Sequence, residues 1–256
     1  MSLSIADVLN RRSDLSTFVV HLTRDHGGQD SARSRLERIV AERRLTAGEP
    51  RGWAVGVRNR DGALALTTEQ RETQRVVCFS ETPLEHIYSM FADIQNRTYR
   101  LRPYGLAVTK MVARRAGINP IWYVDISQGH AWRIRTALNT LVEKATGEGW
   151  FNEIRGLFPV IEGMLTRTDA GGDVTFQREF WWEREWRAVG DVALTGMWDK
   201  IVWLCPEAEI PEVAQCVRDA GGSESAVCID PNWSLERIIG HLVGLDVADL
   251  TPFGSN

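Results

Sequence analysis

Long apolar runs are missing from this sequence. No stretch approaches the roughly 20 residues that a bilayer-spanning helix needs, and the opening MSLSIADVLNRRSD lacks the basic-then-apolar order of a secretory signal. A cytoplasmic protein with no membrane partner is therefore expected. Cysteine is scarce: four in 256 residues, at Cys78, Cys205, Cys216 and Cys228, with none of the close pairs that zinc knuckles and redox motifs use. Buried free thiols are expected. Also absent are a Walker-type phosphate loop, a dinucleotide glycine fingerprint, a His-Glu-x-x-His pair and a Gly-x-Ser-x-Gly elbow, which sets aside the enzyme classes that announce themselves by motif. Positive charge is not in excess either. The net charge of −4 gives no overall pull on nucleic acid, although RSRLERIVAERR is locally rich in arginine.

What is present is a globular composition, 43% apolar and 25% charged, in a chain long enough to bury a sizeable core. A single domain over 1–256 is expected. Ten tryptophans are many for this length and point to a core or a ligand surface built on large flat side chains.

Periodicity and punctuation give the outline. After a short leading helix, STFVVHLTR has strand character. SARSRLERIVAERR has a helical stripe of Ala32, Leu36, Ile39 and Val40. Residues 45–75, rich in Gly, Arg and Thr, suggest a long loop with a short hairpin near Arg60-Asp61-Gly62, of the length that lids and binding segments have. VVCFS is a strand, and TPLEHIYSMFADIQ a helix with Thr82 as N-cap, Pro83 at its first position, and Leu84, Ile87, Tyr88 and Phe91 buried. YGLAVT and NPIWYVDIS are strands around the short helix KMVARRAG. Residues 131–165 carry a helical pattern, kinked at Pro159, and TDAGGD is an exposed turn. FWWEREWRAVG, KIVWLCP and SAVCID are strands, and IPEVAQCVRDAGG and PNWSLERIIGHLVGL are helices. The fold class expected is α+β, with a mixed central sheet of about six strands and flanking helices.

Three polar stations interrupt these strands. At the first, alternation places His21 and Thr23 on one face, able to hydrogen-bond one polar ligand, with Arg24 beside them; a core histidine held by a carbonyl is the structural alternative. The second is Phe79-Ser80 at the end of VVCFS. The third is FWWEREWR, where strand alternation would put Trp181, Glu183, Glu185 and Arg187 on one face. Two burial-prone carboxylates two residues apart repel unless Arg187, Arg24 or a ligand cation lies near. An exposed charged edge strand would explain the same residues without a ligand. His26, His86 and His130 have the character of surface residues.

In this order the stations resemble the ADP-ribosyltransferase fold. FVVHLTR is similar to its first strand, whose His-x-Thr grips NAD, and VVCFSETPL to the strand whose aromatic and small hydroxyl residues meet the nicotinamide. WWEREWRAV is similar to the strand that carries the glutamate acting on the ribose. The resemblance implies NAD as co-substrate, with His21, Thr23, Arg24, Phe79, Ser80 and Arg187 holding it and Glu183 or Glu185 catalytic. Phe79 stands where that fold usually has tyrosine. Over nearly the whole chain, the blocks VHLTRD, VCFSETPL, PYGLAVTK, NPIWYVDIS, FWWEREWR and DPNWSLERIIGHL resemble the bacterial AbiGi-type abortive-infection proteins. That family is described as the antitoxin of phage-resistance systems, so antiviral defence within a toxin–antitoxin pair is the implied setting. Two functions follow: transfer of ADP-ribose to a protein or nucleic-acid acceptor, or hydrolysis of NAD; alternatively, a non-catalytic antitoxin or sensor that binds a cognate toxin or phage protein through its aromatic surface. A nuclease holding metal on Glu183 and Glu185 lacks a matching Asp or Lys partner.

Overall fold

The computed structural model describes residues 15–26, 30–91, 100–127, 131–223 and 226–245. The leading helix and His130 lie outside them. The strands are β1 (Phe18–Arg24), β2 (Arg44–Leu45), β3 (Val76–Ser80), β4 (Leu101–Thr109), β5 (Asn119–Pro120), β6 (Trp122–Asp125), β7 (Ile161–Thr168), β8 (Val174–Arg178), β9 (Glu185–Val189), β10 (Val192–Ala193), β11 (Val202–Leu204) and β12 (Val227–Ile229). The α-helices are α1 (Ala32–Glu42), α2 (Thr68–Glu72), α3 (Lys110–Arg115), α4 (Ala131–Gly147), α5 (Phe151–Ile154), α6 (Ile210–Asp219) and α7 (Leu235–Leu242). The fold is α+β on a mixed seven-stranded sheet, in the order β12-β11-β4-β1-β3-β9-β5, beside a three-stranded sheet β6-β7-β8 and the pair β10-β2. The chain divides into two compact units. The first takes the described residues of 1–44, 81–112 and 194–256, the second those of 45–80 and 113–193.

In the first unit β4 pairs antiparallel with both β1 and β11, and β11 pairs parallel with β12. One face buries Val20, Ala107, Leu204 and Ile229 against Ile87, Trp233 and Ile238. Gly105 sits opposite Leu22, and a Cβ there would overlap the His21 carbonyl oxygen, so this crossing tolerates no side chain. Helix α1 starts where Ser31 accepts a hydrogen bond from the Ser34 N–H (3.1 Å) and Asp25 accepts one from the Ala32 N–H (2.9 Å). TPLEHIYSMF is not the α-helix expected but a 3₁₀ helix over Leu84–Phe91. Three residues per turn put Leu84, Ile87 and Met90 on one side, so Met90 is buried and Tyr88, expected inside, is exposed.

The Ala32 N–H, and after it Arg102, holds the Asp25 carboxyl below the usual carboxylate range. A depressed folded pKa means that the unfolded chain binds the proton more tightly, so the stabilisation is present above about pH 4 and fades as pH falls through the lower folded value. Asp25→Ala is expected to lower stability by less than about 1 kcal/mol at pH 7, since water screens the exposed carboxylate, and by progressively less below pH 4, checked by urea unfolding at several pH values.

In the second unit, residues 45–75, expected as a long loop, send several side chains into the core. Leu45, Ala54, Val57 and Leu66 are buried. Ala54, Val57, Ala65 and Leu66 pack with Val142, Ala145, Phe151 and Phe158, and the Trp53 indole donates to Asn139 (2.9 Å). Gly52, at φ +94°, lies against the Phe158–Pro159 backbone with no room for a Cβ. The turn at residues 60–62 was foreseen: Arg58 bridges Leu64 around it. Helix α2, closed by a Thr67–Gln70 capping box, was not.

Two further expectations fail here. NPIWYVDIS is broken after Pro120 into β5 and β6, which join different sheets. Residues 161–165, expected to be helical, lie instead in β7, which pairs parallel with β6 and antiparallel with β8.

Cys205 and Cys228 are buried, and Cys78 is half-buried. Burial pushes the Cys205 thiol up to about 12, with Cys228 nearby adding to it, and the Cys228 thiol up to about 11; burial and then Glu185 push Cys78 up as well. Cys216 is exposed. At pH 8 a colorimetric disulfide reagent is expected to titrate about one thiol quickly, the other three reacting on unfolding.

Candidate functional site

FWWEREWR is not one strand. Trp181–Glu183 form a single 3₁₀ turn, Arg184 takes a left-handed conformation at φ +46°, and extended structure begins at Glu185. Strand alternation therefore does not hold across the stretch. Trp181 is 56% exposed while Glu183, expected on its face, is 7% exposed. From Glu185 onward alternation applies: Trp186 and Ala188 enter the core, and Glu185 and Arg187 turn to the other side.

β9 pairs antiparallel with β3 so that Ser80 lies across from Glu185, Phe79 from Trp186 and Cys78 from Arg187. Residues opposed in a ladder share a face, so Ser80, Glu185, Cys78 and Arg187 form one polar face, and Phe79 and Trp186 the apolar one. This brings together two stations that are about a hundred residues apart in sequence. It also corrects the expectation for Phe79: at 2% exposed it is a core residue turned away from Ser80 and offers no ring to a ligand.

Arg187 is the hub of the polar face and is only 1% exposed. Its Nε and Nη2 donate to the two Glu185 carboxylate oxygens (2.9 and 2.8 Å), Nη2 also donates to Glu162 on β7 (2.9 Å), and Nη1 to the Pro159 carbonyl (2.8 Å). Burial works against the guanidinium charge, but the Glu185 and Glu162 carboxylates outweigh it and hold the proton more firmly than on an ordinary arginine. Glu162 in turn pairs with Arg178. Arg187 thus compensates Glu185 and Glu162, not the Glu183–Glu185 pair considered from the sequence, and it orients Glu185 rather than presenting a free fork to a pyrophosphate.

Tyr123 on β6 completes the group. Its hydroxyl accepts the Glu185 backbone N–H (2.9 Å). Burial raises the phenol above its ordinary range, and although that N–H lowers it, the Glu185 and Glu183 carboxylates add to the rise, so the phenol keeps its proton. The result is a fixed carboxylate at a strand start, a second carboxylate one turn earlier, and a serine across the ladder, all poorly solvated. Such a face acts strongly on positive charge brought near it. The sequence reading missed Tyr123 and Glu162. The signal for Glu162 was the pair of β-rich runs MLTRT and VTFQR on either side of TDAGGD, a hairpin pattern.

The first station belongs to the other unit. Thr23 is buried, and its hydroxyl donates to the Ala32 carbonyl (2.8 Å) and lies 3.2 Å from that of Tyr104, so it ties β1 to α1 and β4 instead of facing a ligand. His21 is half-buried opposite Leu106. Arg24 donates from Nε to the exposed His26 (3.3 Å). Among the described residues, no group of three or more His, Cys, Asp or Glu could hold a metal ion, and no helix is long and apolar enough to cross a membrane. No family model, no curated protein and no solved structure matches the chain.

Proposed function

We propose that the protein is a cytoplasmic phage-defence protein of the AbiGi type that uses NAD as co-substrate, transferring ADP-ribose to a protein or nucleic-acid acceptor or hydrolysing the dinucleotide. The observation that carries this reading is the β3–β9 register. Ser80 of the strand likened to the nicotinamide-facing one lies directly across from Glu185 of the strand likened to the glutamate-bearing one. In this role Glu185, its two oxygens held by Arg187, stabilises the positive charge that develops on the ribose as nicotinamide leaves. Glu183 adds to the negative potential from the turn before it. Ser80 hydrogen-bonds the substrate, and Tyr123 holds the start of β9 in place. Water or an acceptor nucleophile then takes the ribose carbon.

The test is to incubate the purified chain with NAD and measure released nicotinamide. Release above the protein-free rate is the expected result. No release together with no thermal shift on adding NAD would defeat it.

A second reading, a non-catalytic antitoxin or sensor, is favoured by two observations: Phe79 and Thr23 are committed to the protein's own interior, and Trp181 and Trp182 are exposed beside Glu183. Aromatic side chains of this kind anchor protein interfaces. On this reading overexpression is harmless to the host and substituting Trp181 abolishes partner capture, whereas an NAD-consuming effector is harmful when overexpressed.

A further inference from the structure

Arginines gather where β1 meets α1. The Thr23 hydroxyl donates to the Ala32 carbonyl (2.8 Å) and the Ala32 N–H to Asp25 (2.9 Å), so the end of β1 is tied to the first turn of α1. Arg35 follows Ala32 by three residues and Arg38 follows Arg35 by three, a spacing that makes each a neighbour of the next on the helix surface. Arg24 ends the strand beside that turn, and its charge reaches Arg35. Arg35 is half-buried, and its Nη1 is buried with no hydrogen-bond partner. Burial works first against its charge; Asp30 favours the charge, while Arg24 and Arg38 oppose it. Asp30 is already engaged by Arg38 (3.4 Å), and Asp25 by Arg102 (2.6 Å). A guanidinium that has lost water without gaining an acceptor is costly, and like charges drawn beside it add to the cost. An anion seated among the three side chains offsets both.

We propose that Arg35, Arg38 and Arg24 form a binding site for a terminal phosphate, the dianionic group of inorganic phosphate or of a phosphate monoester. Guanidiniums fork onto phosphate oxygens with matching geometry. A terminal phosphate carries about two negative charges near pH 7, whereas each phosphorus of the NAD pyrophosphate carries one. Among the described residues, Arg35 and Arg38 have the Asp30 carboxylate between them and Arg24 adds its own positive charge, so a dianion is matched better than a monoanion. Arg38, exposed at the rim, leaves the cluster open to solvent on that side. The site goes beyond the NAD reaction proposed above and stands or falls without it.

Isothermal titration calorimetry of the full chain with inorganic phosphate, at fixed ionic strength, tests this, with a Kd of about 1 mM expected. Arg35→Met keeps the apolar stem and removes the charge, so it should weaken binding about tenfold with a melting temperature in chloride no lower than that of the unaltered chain. Arg38→Gln, at an exposed position, should weaken binding as well and reads the site even if the Arg35 variant fails to fold. Adenosine monophosphate binding more tightly than inorganic phosphate assigns the group to an ester; the reverse order assigns it to the free ion. No binding of either ligand, unchanged affinity in the arginine variants, or NAD displacing phosphate as effectively as adenosine monophosphate would each overturn the proposal.

Discussion

Replacing Arg187 by methionine is expected to lower stability by about 3 kcal/mol, because it leaves the largely buried Glu185 carboxylate without its cation and Glu162 with Arg178 alone. Glu185 and Glu162 each receive charge-assisted hydrogen bonds from the same guanidinium, and in a low-dielectric interior the penalty for the unpaired charge exceeds the worth of the pair itself. Lysine at this position should restore little, since one ammonium cannot grip both oxygens of Glu185 while also reaching Glu162 and the Pro159 carbonyl. The informative control removes the whole charge cluster: Arg187→Met with Glu185→Gln and Glu162→Gln should recover most of the loss, as expected when the cost lies in orphaned charge. Urea unfolding of the single, double and triple variants gives the coupling energies. A loss below about 1 kcal/mol for Arg187→Met would mean that water reaches the cluster and that Arg187 is an ordinary surface pair.

Glu185→Gln is expected to lower the rate of nicotinamide release by about 10²–10³-fold, the scale on which a preorganised electrostatic contact acts in a transition state. Glutamine keeps the shape and still accepts from Arg187, so the melting temperature should fall far less than in the Arg187 variant. The loss should appear in kcat rather than KM, since the charge being stabilised is absent from the ground state. Glu183→Gln should cost less, because Glu183 lies in the turn before the strand and not across from Ser80. Turnover that survives both substitutions would remove the catalytic role from Glu183 and Glu185.

Several elements were legible because their signals are local. Ser31 and Ser234 cap the helices that follow them, Gly117 turns the chain after α3 with positive φ, and β1, β3, β11 and β12 are short apolar runs between turn residues. The Thr67-x-x-Gln70 box was equally local, yet it was hidden inside a segment whose glycines and arginines suggested a loop. Where the reading failed, a non-local partner decided. VIEGMLTRT carries enough Leu, Met and Glu for a helix, but β6 and β8 supply its backbone hydrogen bonds on both sides, and ladder pairing overrides a weak propensity. FWWEREWR alternates on paper, but the turn at Trp181–Glu183 and the left-handed Arg184 shift its register, which no alternation rule anticipates.

The sequence by itself determined the α+β class, most element positions, and the presence of two closely spaced glutamates with an arginine two residues on, because propensity, capping and periodicity act over a few residues. Only the tertiary structure decided that Arg187 clamps Glu185 and also reaches Glu162, that Ser80 faces Glu185, and that Phe79 and Thr23 belong to the interior. Burial and cross-strand register arise from segments far apart in the chain, and the charge of a carboxylate becomes chemically useful or merely solvated according to what those distant segments bring beside it.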